Sequence, residues 1–164
     1  LISITDEQIA NGFAKAVNPA RLELLSEKPI VLLDGAHNPN GIEALKSAIQ
    51  KFLPNKYIIA ITGMLADKDV STSVKLLDGV FDRVYTVPVH NPRAMHPAKL
   101  MQKYAKFVDD TVTFESAEHA FDMAFEQAEK TDCAVVICGS LYLAGEIRPY
   151  IINKIKAENE SAEK

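Results

Sequence analysis

The chain has 164 residues, 48% of them hydrophobic, and a formal net charge of −4 from 18 basic and 22 acidic side chains. That fits one domain with a proper core and excludes a disordered chain. The acidic balance speaks against nucleic acid as the main partner, no apolar run approaches the roughly 20 residues of a membrane helix, and Leu1 to Asn18 is too charged and amphipathic for a signal peptide.

Thr5-Asp6-Glu7-Gln8 reads as a capping box opening a short helix, with Ile9, Phe13 and Ala16 or Val17 as its apolar stripe. Pro19 ends it. Residues 1–18 are therefore expected to be an N-terminal helix and interdomain linker, 19–156 the main domain and 157–164 a frayed polar tail. With Leu1 in place of Met, the sequence is expected to be a fragment or a processed product. Arg21 to Leu25 alternates like a strand, and the polar turn Ser26-Glu27-Lys28-Pro29 leads into a second strand, Ile30 to Asp34, as in a hairpin.

Strands and helices then alternate. Asn38 is a plausible N-cap with Pro39 at the first helical position. The helix runs to Phe52, with Ile42, Leu45, Ile49 and Phe52 on one face. Tyr57 to Thr62 is a strand. Asp67 or Asp69 opens a helix carrying Val70, Val74 and Leu77. Arg83 to Val87 is a strand, Pro97 starts a helix with Leu100, Tyr104 and Phe107, and Val112 to Phe114 is a short strand. Ser116 caps a helix with Ala120, Phe121, Ala124, Phe125 and Ala128 inward. Ala134 to Cys138 is the most apolar strand. A last helix starts near Leu141, with Pro149 expected to kink or restart it. Cys133 and Cys138, five apart on that strand, point to opposite faces and suit neither a disulfide nor a shared metal; two buried thiols fit a reducing cytoplasm.

Near-continuous apolar strands between amphipathic helices predict an α/β, Rossmann-like, mostly parallel sheet of about six strands with one antiparallel strand and helices on both faces. Three loops that follow strands carry polar residues a core does not need: Asp34-Gly35-Ala36-His37-Asn38, Thr62 to Asp69, and Gly139-Ser140-Leu141-Tyr142. A parallel sheet brings them to one edge, where such folds bind ligands. Asp34 reads either as an Asx-turn residue or as an acceptor for a ligand amine or hydroxyl. His37 is either a surface histidine beside a cap or a group aimed at substrate. Ser140 either caps the last helix or opens backbone N–H groups to a carboxylate. Lys68 and Arg93 are either solvated or paired with an anion at the sheet edge.

No G-x-x-x-x-G-K-[ST] loop, G-x-G-x-x-G fingerprint or G-x-S-x-G elbow occurs. His37, His90, His96 and His119 form no metal-ligand pairs with Cys or carboxylates. The domain reads as part of a binding site and not as a complete catalytic machine.

Arg21-Leu22-Glu23, Leu33-Asp34-Gly35-Ala36-His37-Asn38-Pro39 and Gly139-Ser140-Leu141-Tyr142-Leu143-Ala144-Gly145-Glu146-Ile147-Arg148, in that order, resemble the C-terminal domain of folylpolyglutamate synthase, often bifunctional with dihydrofolate synthase, in the Mur ligase superfamily. The resemblance implies a cytoplasmic, monomeric enzyme that joins L-glutamate to folate, using ATP and Mg²⁺ and an acyl phosphate. Its P-loop and magnesium ligands would belong to a separate N-terminal domain, with no metal held here. It implies further that Arg21 and Asp34 contact ATP, that His37 and Ser140 face the incoming glutamate, and that His37 orients the amine or accepts its proton. Lys68 and Tyr142 join the glutamate candidates by loop placement. Two other readings stand beside this one: a cell-wall Mur ligase domain acting on a UDP-sugar peptide, and a stand-alone Rossmann-like binding module. The chain departs from the family at Asn18-Pro19-Ala20-Arg21, where Gly often precedes the Arg; Ala20 restricts a backbone that Gly would leave free.

Overall fold

The computed structural model describes residue 5 and residues 18–162; the expected helix with Ile9, Phe13 and Ala16 or Val17 lies outside them. The chain runs through strand Glu23–Glu27 (β1), strand Ile30–Leu33 (β2), helix Pro39–Phe52 (α1), strand Tyr57–Thr62 (β3), helix Val70–Leu76 (α2) and strand Arg83–Thr86 (β4). Helix Pro97–Tyr104 (α3), strand Asp110–Thr113 (β5), helix Ala117–Lys130 (α4), strand Cys133–Cys138 (β6) and helix Leu141–Ala162 (α5) follow. The strands form one sheet in the order β1-β2-β6-β3-β4-β5. Only β1 is antiparallel to its neighbour; β2, β6, β3, β4 and β5 pair in parallel.

The order explains the site. The chain leaves β2, skips one place to build β3, β4 and β5, and returns to lay β6 in the gap. The carboxyl ends of β2, β6 and β3 are thus neighbours although far apart in sequence. β6 is buried along its whole length, as a central strand covered on both faces must be. Cys133 packs into the α4–α5 side with Val135 and Ile137, while Cys138 packs into the α1–α2–α3 side with Ala134 and Val136. The two thiols are free and on opposite faces, as their odd spacing requires.

Helix caps formed where the sequence places them. Asn38 accepts a hydrogen bond from Gly41 N at 2.9 Å, Asp69 from Thr72 N at 3.1 Å and Ser116 from His119 N at 3.1 Å. Several expectations need correction. The first strand begins at Glu23, not Arg21, because Ala20 and Leu22 take left-handed backbone angles, φ 57° and 45°, that no strand accommodates. Phe52 lies on the helical stripe yet is 65% exposed; it sits in the last turn, lining an apolar groove beside the edge strands with Leu22, Leu24 and Leu32. The last helix does not restart at Pro149 and continues past Ala157 to Ala162. The carbonyl that Pro149 deprives of a donor belongs to exposed Gly145, where water can satisfy it. Beyond it Lys154 pairs with Glu158 one turn on, at 3.7 Å, and Ala, Glu and Lys favour helix there.

Thr62, Tyr104 and Cys138 are buried beneath the site edge. Burial, with the nearby Asp34 charge adding to it, pushes the Cys138 thiol from 9.0 up to about 12, and burial likewise raises the Tyr104 phenol above its ordinary 10.0. Both groups stay neutral in the folded chain where the unfolded chain ionises. The unfolded state then binds fewer protons, so stability is full below pH 9 and falls as pH rises toward 12. Thermal melts should show Tm dropping above pH 9, with a shallower drop in Cys138→Ala; equal slopes would overturn this account.

Candidate functional site

The turn after β2 is built from its own polar groups. Asp34 N continues the ladder to Ile137 O at 2.9 Å. The Asp34 carboxylate accepts from Ala36 N through Oδ1 and from Leu22 N through Oδ2, both at 2.7 Å. It is 7% exposed, so those bonds offset the desolvation of a buried charge. Gly35 N donates to Ala20 O at 2.7 Å. A Cβ on Gly35 would stand 2.2 Å from Leu141 Cδ2, so glycine is what lets this turn meet the start of α5.

His37 Nδ1 lies 2.9 Å from Gly35 O. A carbonyl only accepts, so Nδ1 carries the proton, and in the neutral ring Nε2 is left as an acceptor.

At the end of β6, Gly139 N donates to Ala36 O at 2.9 Å, fastening this loop to the Asp34 turn. Ser140 is 1% exposed, and its Oγ accepts from Tyr142 N at 3.0 Å. It caps a 22-residue helix with no acidic residue in its first turn, and such a terminus is electropositive.

The loops after β3 and β4 are joined to each other. Leu65 and Ala94 form an isolated antiparallel bridge; Ala66 N donates to Arg93 O and Met95 N to Met64 O, at 2.7 and 2.8 Å. This brings Arg93 across to the site. Its guanidinium holds Asp67 Oδ2 at 2.9 Å and Tyr142 OH at 3.4 Å. The Lys68 side chain, half-buried in the same loop as Asp67, has no hydrogen-bond or ion-pair partner among the described residues.

His37, Lys68, Arg93, Ser140 and Tyr142, with Leu65 and Leu141, line one small cleft of about 90 Å³. Two cations, a helix N-terminus and an imidazole acceptor therefore face one space. The arrangement suits a small ligand with carboxylates and an amine: cations and N–H groups for the former, Nε2 for the latter. The fold brings together four residues expected from sequence, His37, Lys68, Ser140 and Tyr142, and adds Arg93 as a full member. Arg93 was ambiguous in sequence because no motif marks it; only the bridge between two loops carries it to the cleft. Arg21 and Asp34 are not in the cleft lining. Arg21 is exposed beside it, and both Asp34 oxygens already hold backbone amides. No three His, Cys, Asp or Glu among the described residues could hold a metal ion, and no helix among them is long and apolar enough to cross a membrane.

Comparison with known proteins identifies the family of the chain. The model of the Mur ligase, glutamate ligase domain, matches residues 20–141. The chain is 36% identical over 150 residues to folylpolyglutamate synthase of Lacticaseibacillus casei, covering 91% of this chain and 33% of that protein. It is 30% identical over 150 residues to dihydrofolate synthase/folylpolyglutamate synthase of Escherichia coli (strain K12), covering 92% and 34%. Among solved structures it superposes on E. coli FolC in complex with ADP with TM-score 0.84 at 28% identity, over 94% of this chain and 36% of that one. On Mycobacterium tuberculosis folylpolyglutamate synthase complexed with ADP and AMPPCP the TM-score is 0.83 at 28% identity, over 90% and 35%. The chain thus spans about a third of the length of these relatives. A match over most of its length, together with the relatives' agreement, places the chain in the Mur ligase family, as a glutamate ligase domain.

Proposed function

We propose that this chain is the C-terminal domain of a cytoplasmic, ATP-dependent amide ligase that adds L-glutamate to folate through an acyl phosphate. The observation that carries the proposal is the convergence of His37, Lys68, Arg93, Ser140 and Tyr142 on one cleft. Lys68, Arg93 and the start of α5 receive the carboxylates of glutamate. His37 Nε2 accepts from the amine, orients it and takes up a proton as the amide forms. Ser140 fixes the first turn of α5, and the Tyr142 hydroxyl holds the Arg93 guanidinium in place.

Arg21 contacts the nucleotide. Asp34 fixes the backbone on both sides of that contact and keeps a spare lone pair on each oxygen for a nucleotide hydroxyl. The phosphates and Mg²⁺, which supplies charge neutralisation when bound, we assign to a P-loop domain in the rest of the polypeptide. Closure of the two domains would then bring the amine to the acyl phosphate.

Two measurements test this. The ligase carrying this domain should turn over ATP with glutamate and folate; turnover with a UDP-sugar peptide in place of folate would transfer the chain to the cell-wall branch. The 164-residue chain alone should fold, by circular dichroism and cooperative melting, yet show no ATP-dependent ligation. Ligation by this chain alone would overturn the two-domain reading.

A further inference from the structure

The turn that carries Arg21 is strained and over-determined. Ala20 and Leu22 both have left-handed angles, φ 57° and 45°, which residues with a Cβ disfavour. Around them four backbone groups have partners. Ala20 N donates to Glu23 Oε2 at 2.9 Å, and Ala20 O accepts from Gly35 N at 2.7 Å. Arg21 N donates to Asn18 O at 3.2 Å, and Leu22 N donates to Asp34 Oδ2 at 2.7 Å. The Arg21 side chain has no hydrogen-bond or ion-pair partner among the described residues. Strain held this firmly around one free guanidinium marks a functional presentation and not a loop of convenience.

One element of the clamp comes from far away. Arg148, in the third turn of α5, holds the Glu23 carboxylate from two nitrogens: Nε at 2.9 Å to Oε2 and a terminal nitrogen at 2.6 Å to Oε1. The Glu23 side chain is 14% exposed and that of Arg148 30%. The Arg148 hydrogen bonds hold the Glu23 carboxyl below its usual range despite partial burial, and the Ala20 amide adds to this.

We propose that Glu23 and Arg148 are positioning residues for nucleotide binding: Arg148 fixes Glu23, Glu23 fixes the left-handed Ala20, and the turn then presents Arg21. The proposal rests on the reading of Arg21 as the nucleotide contact. It makes α5 a shared support, since its first turn lines the cleft and Arg148 in its third turn braces, through Glu23, the turn that presents Arg21. A glutamine at 23 keeps an oxygen for Ala20 N but loses the charge that Arg148 grips. An alanine loses both.

The test uses the ligase carrying this domain, with KM for ATP, KM for glutamate and kcat measured for Arg21→Ala, Glu23→Gln, Glu23→Ala, Arg148→Gln and the double variant Arg21→Ala/Arg148→Gln. Arg148→Gln should raise KM for ATP about tenfold, as expected for a lost charge-assisted pair, with KM for glutamate and kcat at saturating ATP within about twofold. Glu23→Gln should be milder than Glu23→Ala. In the Arg21→Ala background Arg148→Gln should add nothing, which a merely stabilising role would not produce. If Arg21→Ala leaves KM for ATP unchanged, the nucleotide reading fails. If Arg21→Ala raises it but Arg148→Gln does not, or the two effects add, the positioning proposal fails. Should a variant aggregate, its ATP affinity measured by isothermal titration below its melting temperature gives the same comparison.

Discussion

His37→Ala, in the ligase carrying this domain, should lower kcat/KM for glutamate by about 10² to 10³ while KM for ATP stays within about twofold. The size follows from what the side chain does. Gly35 O fixes Nδ1 as the donor, so Nε2 of this cleft-lining ring keeps its lone pair free to accept. Its loss removes both the orientation of the amine and the acceptor for its proton. The selectivity follows from geography: His37 lines the cleft, whereas Arg21 and its clamp lie outside it. His37→Gln, which restores a polar atom but no proton acceptor of comparable basicity, should recover glutamate KM more than kcat. Steady-state kinetics with each substrate varied in turn decides the matter. Equal loss toward ATP and glutamate, with the melting temperature unchanged, would show that His37 does not serve the amino-acid side.

The cleft is legible in sequence to the extent that strand ends are. His37 and Ser140 follow long apolar strands whose type and direction are unambiguous, so placing them at one edge needs only the rule for parallel sheets. Helix α1 is read to the residue because Asn38, Pro39 and the Ile42-Leu45-Ile49 stripe all agree. Three features are not legible, each for a physical reason. Ala20 and Leu22 adopt angles that their side chains disfavour, and no propensity scale signals a conformation imposed by Glu23 and Asp34 from outside. Phe52 fits the helical period but lines an open groove beside the edge strands, where it stays 65% exposed. Arg93 reaches the cleft only through the bridge between Leu65 and Ala94, a non-local contact with no periodic trace. The departure at Ala20 is the most instructive. The missing glycine marks the place where the backbone takes a glycine-like angle, and the clamp around it makes good that loss.

Two glycine-to-alanine changes six residues apart should have opposite signs. Gly139 has φ +106°, and a Cβ there would stand 2.7 Å from Thr62 Oγ1 and 2.9 Å from Gly63 O. The first is a buried hydroxyl and the second a backbone atom at the end of β3, so neither can withdraw without moving a central strand. Backbone strain of about 1–3 kcal/mol and overpacking of about 1–3 kcal/mol together predict a loss of roughly 2–6 kcal/mol for Gly139→Ala. That is a large part of the ~5–15 kcal/mol available to a domain of ordinary stability. Gly145, inside α5 and exposed, has nothing within 4 Å of its would-be Cβ and no positive φ. Gly145→Ala should therefore raise stability by about 0.5–1 kcal/mol through the lower backbone entropy of the unfolded chain. Urea unfolding of both variants with unchanged m-values tests the pair. Because Ser140 follows Gly139 directly, any Gly139→Ala protein that still folds should also bind glutamate more weakly in the ligase, as the start of α5 shifts away from His37. A Gly139→Ala loss below about 1 kcal/mol would mean that the loop relaxes freely, and the rigid junction between β6 and α5, on which the cleft depends, would have to be abandoned.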